Sequence, residues 1–182
     1  MTKLTGSTRV AGVIGSPIRH SLSPILHNAA FRALGLDWVF LAFEVEEGEG
    51  AAAVAGARAL GIEGLSVTMP HKGDVIPALD KLSPTAERLG AVNTVTRQGS
   101  ALLGESTDGP GFLDALRQDE GFDPAGRRCV VLGAGGAARA VVLALAEVGA
   151  AQVTVVNRTV ERAEAAAALA GPVGRVGRVE DT

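Results

Sequence analysis

The sequence predicts an α/β chain in two parts, an N-terminal α/β domain followed by an incomplete Rossmann-type domain. Three observations predict it. Apolar, β-branched runs alternate with helical patterns in both halves, as in mostly parallel sheets with right-handed crossovers. The run Cys129-Val-Val-Leu ends at Gly133 and leads through a glycine-rich turn into a helical stretch. A polar segment with Pro and Gly, 121–128, separates the two parts. The expected domains are 1–108 and 121–182, bridged by a helix over 109–120.

Residues 9–15 read as a buried strand and 16–22 as a loop. Ser23-Pro24 starts a helix, with Ser23 expected as N-cap and Pro24 at the first helical position. Leu26, Ala29, Ala30 and Ala33 are its expected inner face, and Gly35 stops it. A strand over 38–45, an acidic turn and a helix over 51–60 follow. A third strand spans 62–69, and Pro70-His71-Lys72 leads into a helix expected to reach about Leu79. Ser83-Pro84 starts a short helix to Leu89. Strands over 91–97 and 101–105 flank the hairpin turn Gln98-Gly99-Ser100. Asp108 is the expected N-cap of the 109–120 helix. The second part reads as strand 129–133, helix 135–148, strand 152–156 and helix 159–170, with a possible short strand in 171–182. That is at most the first half of a doubly wound dinucleotide domain.

Bulk properties exclude several classes. The chain has 182 residues, 47% apolar and 20% charged, which suits an ordinary globular protein with ample core. Net charge is −3 with no basic run, which argues against a nucleic-acid partner. Cys129, the one cysteine, cannot form an internal disulfide and reads as a packed thiol. The N-terminus lacks an apolar signal core, and no apolar stretch reaches the ~18 residues of a membrane span. A cytoplasmic location is expected, with no membrane partner and no metal.

The glycine turn, Gly133, Ala134, Gly135, Gly136, Ala137 and Ala138, matches a dinucleotide loop. One glycine makes the turn and the next admits a pyrophosphate. A small third residue lets helix and strand pack, and the helix N-terminus faces the phosphates. The residue that reads the ribose lies about 20 positions further on. There the chain has neutral Asn157, then Arg158 and Thr159, with Arg162 one turn later. An acidic residue would repel a 2′-phosphate, whereas a guanidinium grips it. The local reading is NADP over NAD.

Four stretches of the first part carry polar groups at strand ends. Ser21 and Ser23 lie just ahead of a helix start, which suits a carboxylate. Lys72 is expected in the first turn of a helix, where a cation is disfavoured. Asn93 is expected in a strand that should bury its amide. Asp108 opens the 109–120 helix.

The ordered set is Gly-Ser-Pro-Ile-Arg-His-Ser-Leu-Ser-Pro-Ile-Leu-His-Asn (15–28), Ser-Val-Thr-Met-Pro-His-Lys (66–72), Gly-Ala-Val-Asn-Thr (90–94), Ser-Thr-Asp-Gly-Pro-Gly (106–111), Gly-Ala-Gly-Gly-Ala-Ala-Arg (133–139) and Asn-Arg-Thr (157–159). With these motifs the chain resembles shikimate dehydrogenases from about residue 9 to about 170. The resemblance implies an N-terminal substrate-binding domain and a partial Rossmann-type NADP-binding domain. It implies reversible, NADP-dependent reduction of 3-dehydroshikimate to shikimate. Ser21 and Ser23 would bind the substrate carboxylate. Thr68, Lys72, Asn93 and Asp108 would surround the ring hydroxyls and reacting carbon, with Lys72 and Asp108 as the catalytic pair. Residues 133–138 with Asn157, Arg158, Thr159 and Arg162 would hold NADP.

Two departures stand out. Ser106 occupies a position where the family usually has Asn. Family members also continue past this point, into a part that supplies the nicotinamide half of the site and a tyrosine, and this chain has no tyrosine. The expectation is therefore a C-terminally truncated chain. Alternatives are a quinate/shikimate dehydrogenase, a methylenetetrahydrofolate-dehydrogenase-like enzyme, which the serine pair and Asp108 argue against, or a fragment that binds substrate or nucleotide without turnover. The resemblance leaves monomer and homodimer open.

Overall fold

The structure, a computed structural model, describes residues 4–178. Its contacts divide the chain into two compact units, Met1–Glu105 and Ser106–Thr182.

The first unit contains β1 (Arg9–Gly15), α1 (Ser23–Ala33), β2 (Trp38–Glu44), α2 (Gly50–Ala59), β3 (Gly64–Val67), β4 (Lys81–Leu82), α3 (Pro84–Leu89), β5 (Thr94–Gln98) and β6 (Ala101–Glu105). They build a six-stranded sheet in the order β2-β1-β3-β5-β6-β4. The β2, β1 and β3 strands are parallel, as alternating strands and helices require. The β5 strand runs antiparallel to β3 and to β6, so this sheet is mixed rather than mostly parallel. The hairpin turn at Gly99, with φ +64°, is the expected one and reverses the chain. The core gathers Ile14, Val54, Leu65, Val67, Val75, Ala86, Val92 and Val95.

Two stretches of the first unit differ from expectation. The residues that turn α1 toward the sheet are Pro24, Asn28 and Phe31, all half-buried at helical spacing. The expected inner face is outside: Leu26 is 66% exposed, and no residue of α1 is buried. Ser23 is not the N-cap but the first helical residue; Leu22 takes the cap position without a side-chain bond. The second is 69–79. This stretch forms successive turns and a 3-10 turn, Ile76–Ala78, instead of a helix. Pro77 lacks an N–H and Gly73 weakens helix formation, so the ladder never propagates.

The second unit contains α4 (Asp108–Gln118), β7 (Arg128–Leu132), α5 (Gly136–Glu147), β8 (Gln152–Val156), α6 (Val160–Ala167) and β9 (Gly174–Gly177). Its parallel strands lie in the order β7-β8-β9. The helix expected to link the two parts packs within this unit. A Cβ at Gly109 would lie 2.9 Å from Ala144 Cβ and 3.0 Å from Ala140 O, so α4 meets α5 at a contact only glycine permits. Thr107, not Asp108, is the N-cap of α4; Asp108 sits in the first turn, where its charge favours the helix dipole. The last helix ends earlier than expected, because Gly171 turns to φ +57° ahead of Pro172. Val153 and Val155 are fully buried against Val142, Leu145, Ala163 and Ala166. Cys129 is half-buried beside this core, and burial pushes its thiol above the ordinary range. Among the described residues no helix is long and apolar enough to cross a membrane, and no cluster of His, Cys, Asp or Glu is arranged to hold a metal.

The first unit is tied together at Asp80. Its carboxylate accepts from the Leu102 N–H at 2.6 Å and from Arg58 Nη2 at 2.8 Å. Arg58 also donates to Ser100 O and Ala78 O, joining α2 to the β5–β6 hairpin. The Leu102 N–H first, and the guanidinium second, hold the Asp80 carboxyl below its ordinary value of 3.8. A depressed folded-state value gives stability that is complete above the unfolded value and lost as pH falls through the folded one. Asp80→Asn is therefore expected to lower the urea midpoint at pH 6. The gap to the parent should narrow as pH drops below about 4.

Candidate functional site

In the first unit the expected site residues arise from adjacent strands at one end of the sheet. The β1 and β3 strands end there, at Gly15 and Val67, and β5 begins there because it runs the other way. The Thr68 N–H donates to Ile14 O at 3.0 Å, and the Val67 N–H to Asn93 O at 2.7 Å. The Asn93 N–H donates to Glu105 O, and the Val92 N–H to Lys72 O at 2.8 Å. Backbone bonds thus bring Thr68, Lys72 and Asn93 to one edge. All three residues are half-buried. Asn93 precedes β5 rather than lying within it, and its Oδ1 accepts from Thr94 Oγ1.

Ser21 sits in the β1–α1 loop and Ser23 opens α1. Ile18 is buried and anchors this loop. The Ser21 N–H donates to Ile18 O at 2.9 Å, and the Ser23 N–H to Ser21 Oγ at 3.3 Å. Both serines are half-buried at the start of α1.

Two residues of this edge escaped the sequence reading. A Cβ at Gly15 would lie 2.5 Å from Thr68 Cγ2 and 3.0 Å from Ile18 Cδ1. Its missing side chain is what lets the 66–72 stretch and the serine loop approach. His71 is fully buried, with Nε2 2.9 Å from Val45 O and Nδ1 3.5 Å from Asp74. A carbonyl only accepts, so Nε2 carries the proton. This bond ties the turn that carries Lys72 to the end of β2. A glycine closing a strand was the one available signal for Gly15; a lone histidine between Pro and Lys offered none. Lys72 lies in this turn run rather than in the first turn of a helix, so no helix dipole opposes its charge.

In the second unit Gly133 closes β7 with φ +104°, and its N–H donates to Val156 O at 2.7 Å. Gly135 is the N-cap of α5 and supplies no side-chain bond, so the first N–H groups of the helix have no side-chain cap. Ala134 and Ala138 pack on the core, whereas Gly135, Gly136 and Ala137 are exposed. This is the small-residue pattern that lets a phosphate reach a helix N-terminus. At the end of β8, Asn157 Nδ2 donates to Thr159 O at 2.9 Å and shapes the turn. Arg158, Thr159 and Arg162 are exposed around it. Asp108 is half-buried at the start of α4, beside Gly109.

Residues 13–95 match the shikimate dehydrogenase substrate binding domain, and residues 116–176 match the shikimate/quinate 5-dehydrogenase family. The chain belongs to the shikimate dehydrogenase family. It is 56% identical over 161 residues to the shikimate dehydrogenase (NADP(+)) of Geobacter metallireducens, covering 88% of this chain and 56% of that one. The chain therefore spans little more than half the length of that relative. It is similar, with TM-score 0.91 and 41% identity, to the shikimate 5-dehydrogenase of Listeria monocytogenes solved with shikimate and NAD. That match covers 100% of this chain and 65% of the other. The Thermus thermophilus enzyme, solved with NADP(H) and shikimate, matches at TM-score 0.84 and 40% identity over 93% of this chain and 62% of its own. The α/β fold with its Rossmann-like parallel region is thus the family's.

The Gly15 contact generates a prediction for this family site. Gly15→Ala is expected to destabilise the chain by about 1–3 kcal/mol through overpacking against Thr68. Adding Thr68→Ser removes the clashing methyl and should recover part of the loss. Urea midpoints of the single and double variants check this.

Proposed function

We propose that this chain forms the substrate-binding unit and the adenosine side of the dinucleotide site of an NADP-dependent shikimate dehydrogenase, which reversibly reduces 3-dehydroshikimate to shikimate. The observation that carries the reading is the convergence of Thr68, Lys72 and Asn93 at one sheet edge in a chain of this family.

Each residue has a chemical task. Ser21 and Ser23 donate hydroxyl hydrogen bonds to the substrate carboxylate. Thr68 and Asn93 bind ring hydroxyls. Lys72, as ammonium, stabilises the developing alkoxide and gives a proton to the ketone oxygen. Asp108 accepts from a ring hydroxyl. NADPH, when bound, supplies the hydride. The second unit fits a dinucleotide with a 2′-phosphate: the uncapped first turn of α5 suits the pyrophosphate, and Arg158 and Arg162 are exposed at the end of β8. Asn157 braces that turn through Thr159 and introduces no negative charge. Among the described residues Glu161 makes no ion pair with either arginine, so both guanidinium groups are available.

Two experiments test this reading. Calorimetric titration with NADPH and NADH should show a preference for NADPH. Arg158→Ala should cut that preference about tenfold or more while leaving NADH binding unchanged, as expected for a lost charge-assisted bond. Equal loss for both cofactors sinks the 2′-phosphate assignment. In an enzyme carrying this chain at the length of its relatives, NADPH oxidation in the presence of 3-dehydroshikimate should fall about 10²–10⁴-fold in Lys72→Ala with NADPH affinity retained. Wild-type turnover in that variant removes the acid role.

A further inference from the structure

The motif at 15–28 ends in His27-Asn28, and neither residue has a task in the chemistry above. The structure gives Asn28 one. Its Nδ2 donates to Pro24 O at 2.7 Å and to Phe40 O at 2.8 Å. Its Oδ1 accepts from the Phe40 N–H at 2.9 Å. Both donor hydrogens are used, and the orientation of the amide follows, since the reverse would set its oxygen against two carbonyls. Phe40 lies on β2, the outer strand of the sheet. There the carboxamide makes the paired N–H and C=O bonds that a further strand would make.

Packing alone holds α1 weakly. None of its residues is buried, and Ile25 and Leu26 are each about two-thirds exposed. Phe31 packs against the buried cluster of Ala11, Val13, Ile18 and Phe40, and two ring contacts add to this. His27 stacks on Phe40 at 4.1 Å, and Phe31 meets Trp38 at 5.6 Å. Ring contacts tolerate sliding; three directional bonds from one planar group do not. Pro24, one of the bonded carbonyls, directly follows Ser23.

We propose that Asn28 is a positioning residue: by clamping α1 to the edge of β2 it sets where Ser21 and Ser23 present their hydroxyls to an anionic group of the substrate. The proposal rests on the carboxylate role assigned to these serines, and its test separates the two.

The test compares the 182-residue chain with Asn28→Ala, Asn28→Asp and Phe31→Leu. The last loosens the packing of α1 without touching the clamp. The probes are shikimate and its methyl ester, titrated calorimetrically, and the ¹⁵N amide signals of Ser21 and Ser23. The parent should bind shikimate more tightly than the ester. Folded Asn28 variants should lose about tenfold in shikimate affinity, as for a lost bond to a charged group, with ester affinity unchanged. Their Ser21 and Ser23 signals should move, whereas Phe31→Leu should keep both the discrimination and the signals. Folded Asn28 variants with parental Ser21 and Ser23 signals overturn the proposal, as does an equal loss of discrimination in Phe31→Leu. If neither Asn28 variant folds, hydrogen exchange of the parent decides. Asn28 Nδ2 protons that slow together with the Ser21 and Ser23 amides on adding shikimate support the clamp; exchange at the free-amide rate overturns it. Lack of discrimination by the parent removes the carboxylate role instead, and the amide signals still judge Asn28.

Discussion

The bond from the Val67 N–H to Asn93 O is the constraint on which the first unit's site depends. A chain of parallel strands delivers loops to the sheet's carboxyl ends only where strands finish. Because β5 runs antiparallel, its beginning arrives where β1 and β3 stop. Three segments distant in sequence then share one edge. Each is stiffened by backbone bonds across it, Thr68 to Ile14, Asn93 to Glu105 and Val92 to Lys72. Polar side chains based on such a rim need little reordering when a ligand arrives, which is what preorganisation requires.

The second unit meets the same demand differently. Its strands are all parallel, and the bond from the Gly133 N–H to Val156 O holds the ends of β7 and β8 together. The glycine loop and the 157–159 turn therefore leave the sheet side by side. Glycine serves both units by absence. At Gly15 and Gly109 a Cβ would collide with a neighbour, and at Gly133 the backbone adopts φ +104°, a region that favours glycine. The role of α1 is a contrast: it begins at Ser23 and none of its residues is fully buried, so its direction depends on side-chain bonds as well as on area.

Much of this was legible in the order of residues. The apolar runs at 9–15, 38–45 and 152–156 became strands close to where the pattern put them, because strand burial imposes a local composition. Ser83 caps α3, accepting from the Ala86 N–H, and Gly90 ends that helix at φ +58°. These are nearest-neighbour effects and follow from the residues themselves. The failures share a cause. Leu26, Ala29, Ala30 and Ala33 are apolar at helical spacing, yet the sheet meets Pro24, Asn28 and Phe31 instead, since a carboxamide that satisfies strand-edge groups outweighs an apolar stripe with nothing opposite. The 70–79 helix failed because Gly73 and Pro77 remained strong local breakers while tertiary bonds from Val92 and to Val45 held the turns.

The sequence by itself determined the fold class, the glycine loop, the absence of an acidic residue at the end of β8 and the family, because these rest on composition, turn chemistry and ordered motifs. The tertiary structure alone decided that β5 reverses, that Gly15 must lack a side chain, that His71 is buried in the turn that carries Lys72 and that Asn28 grips Phe40. Each of these depends on which atoms, remote in the chain, come within van der Waals or hydrogen-bond distance. No local pattern encodes that.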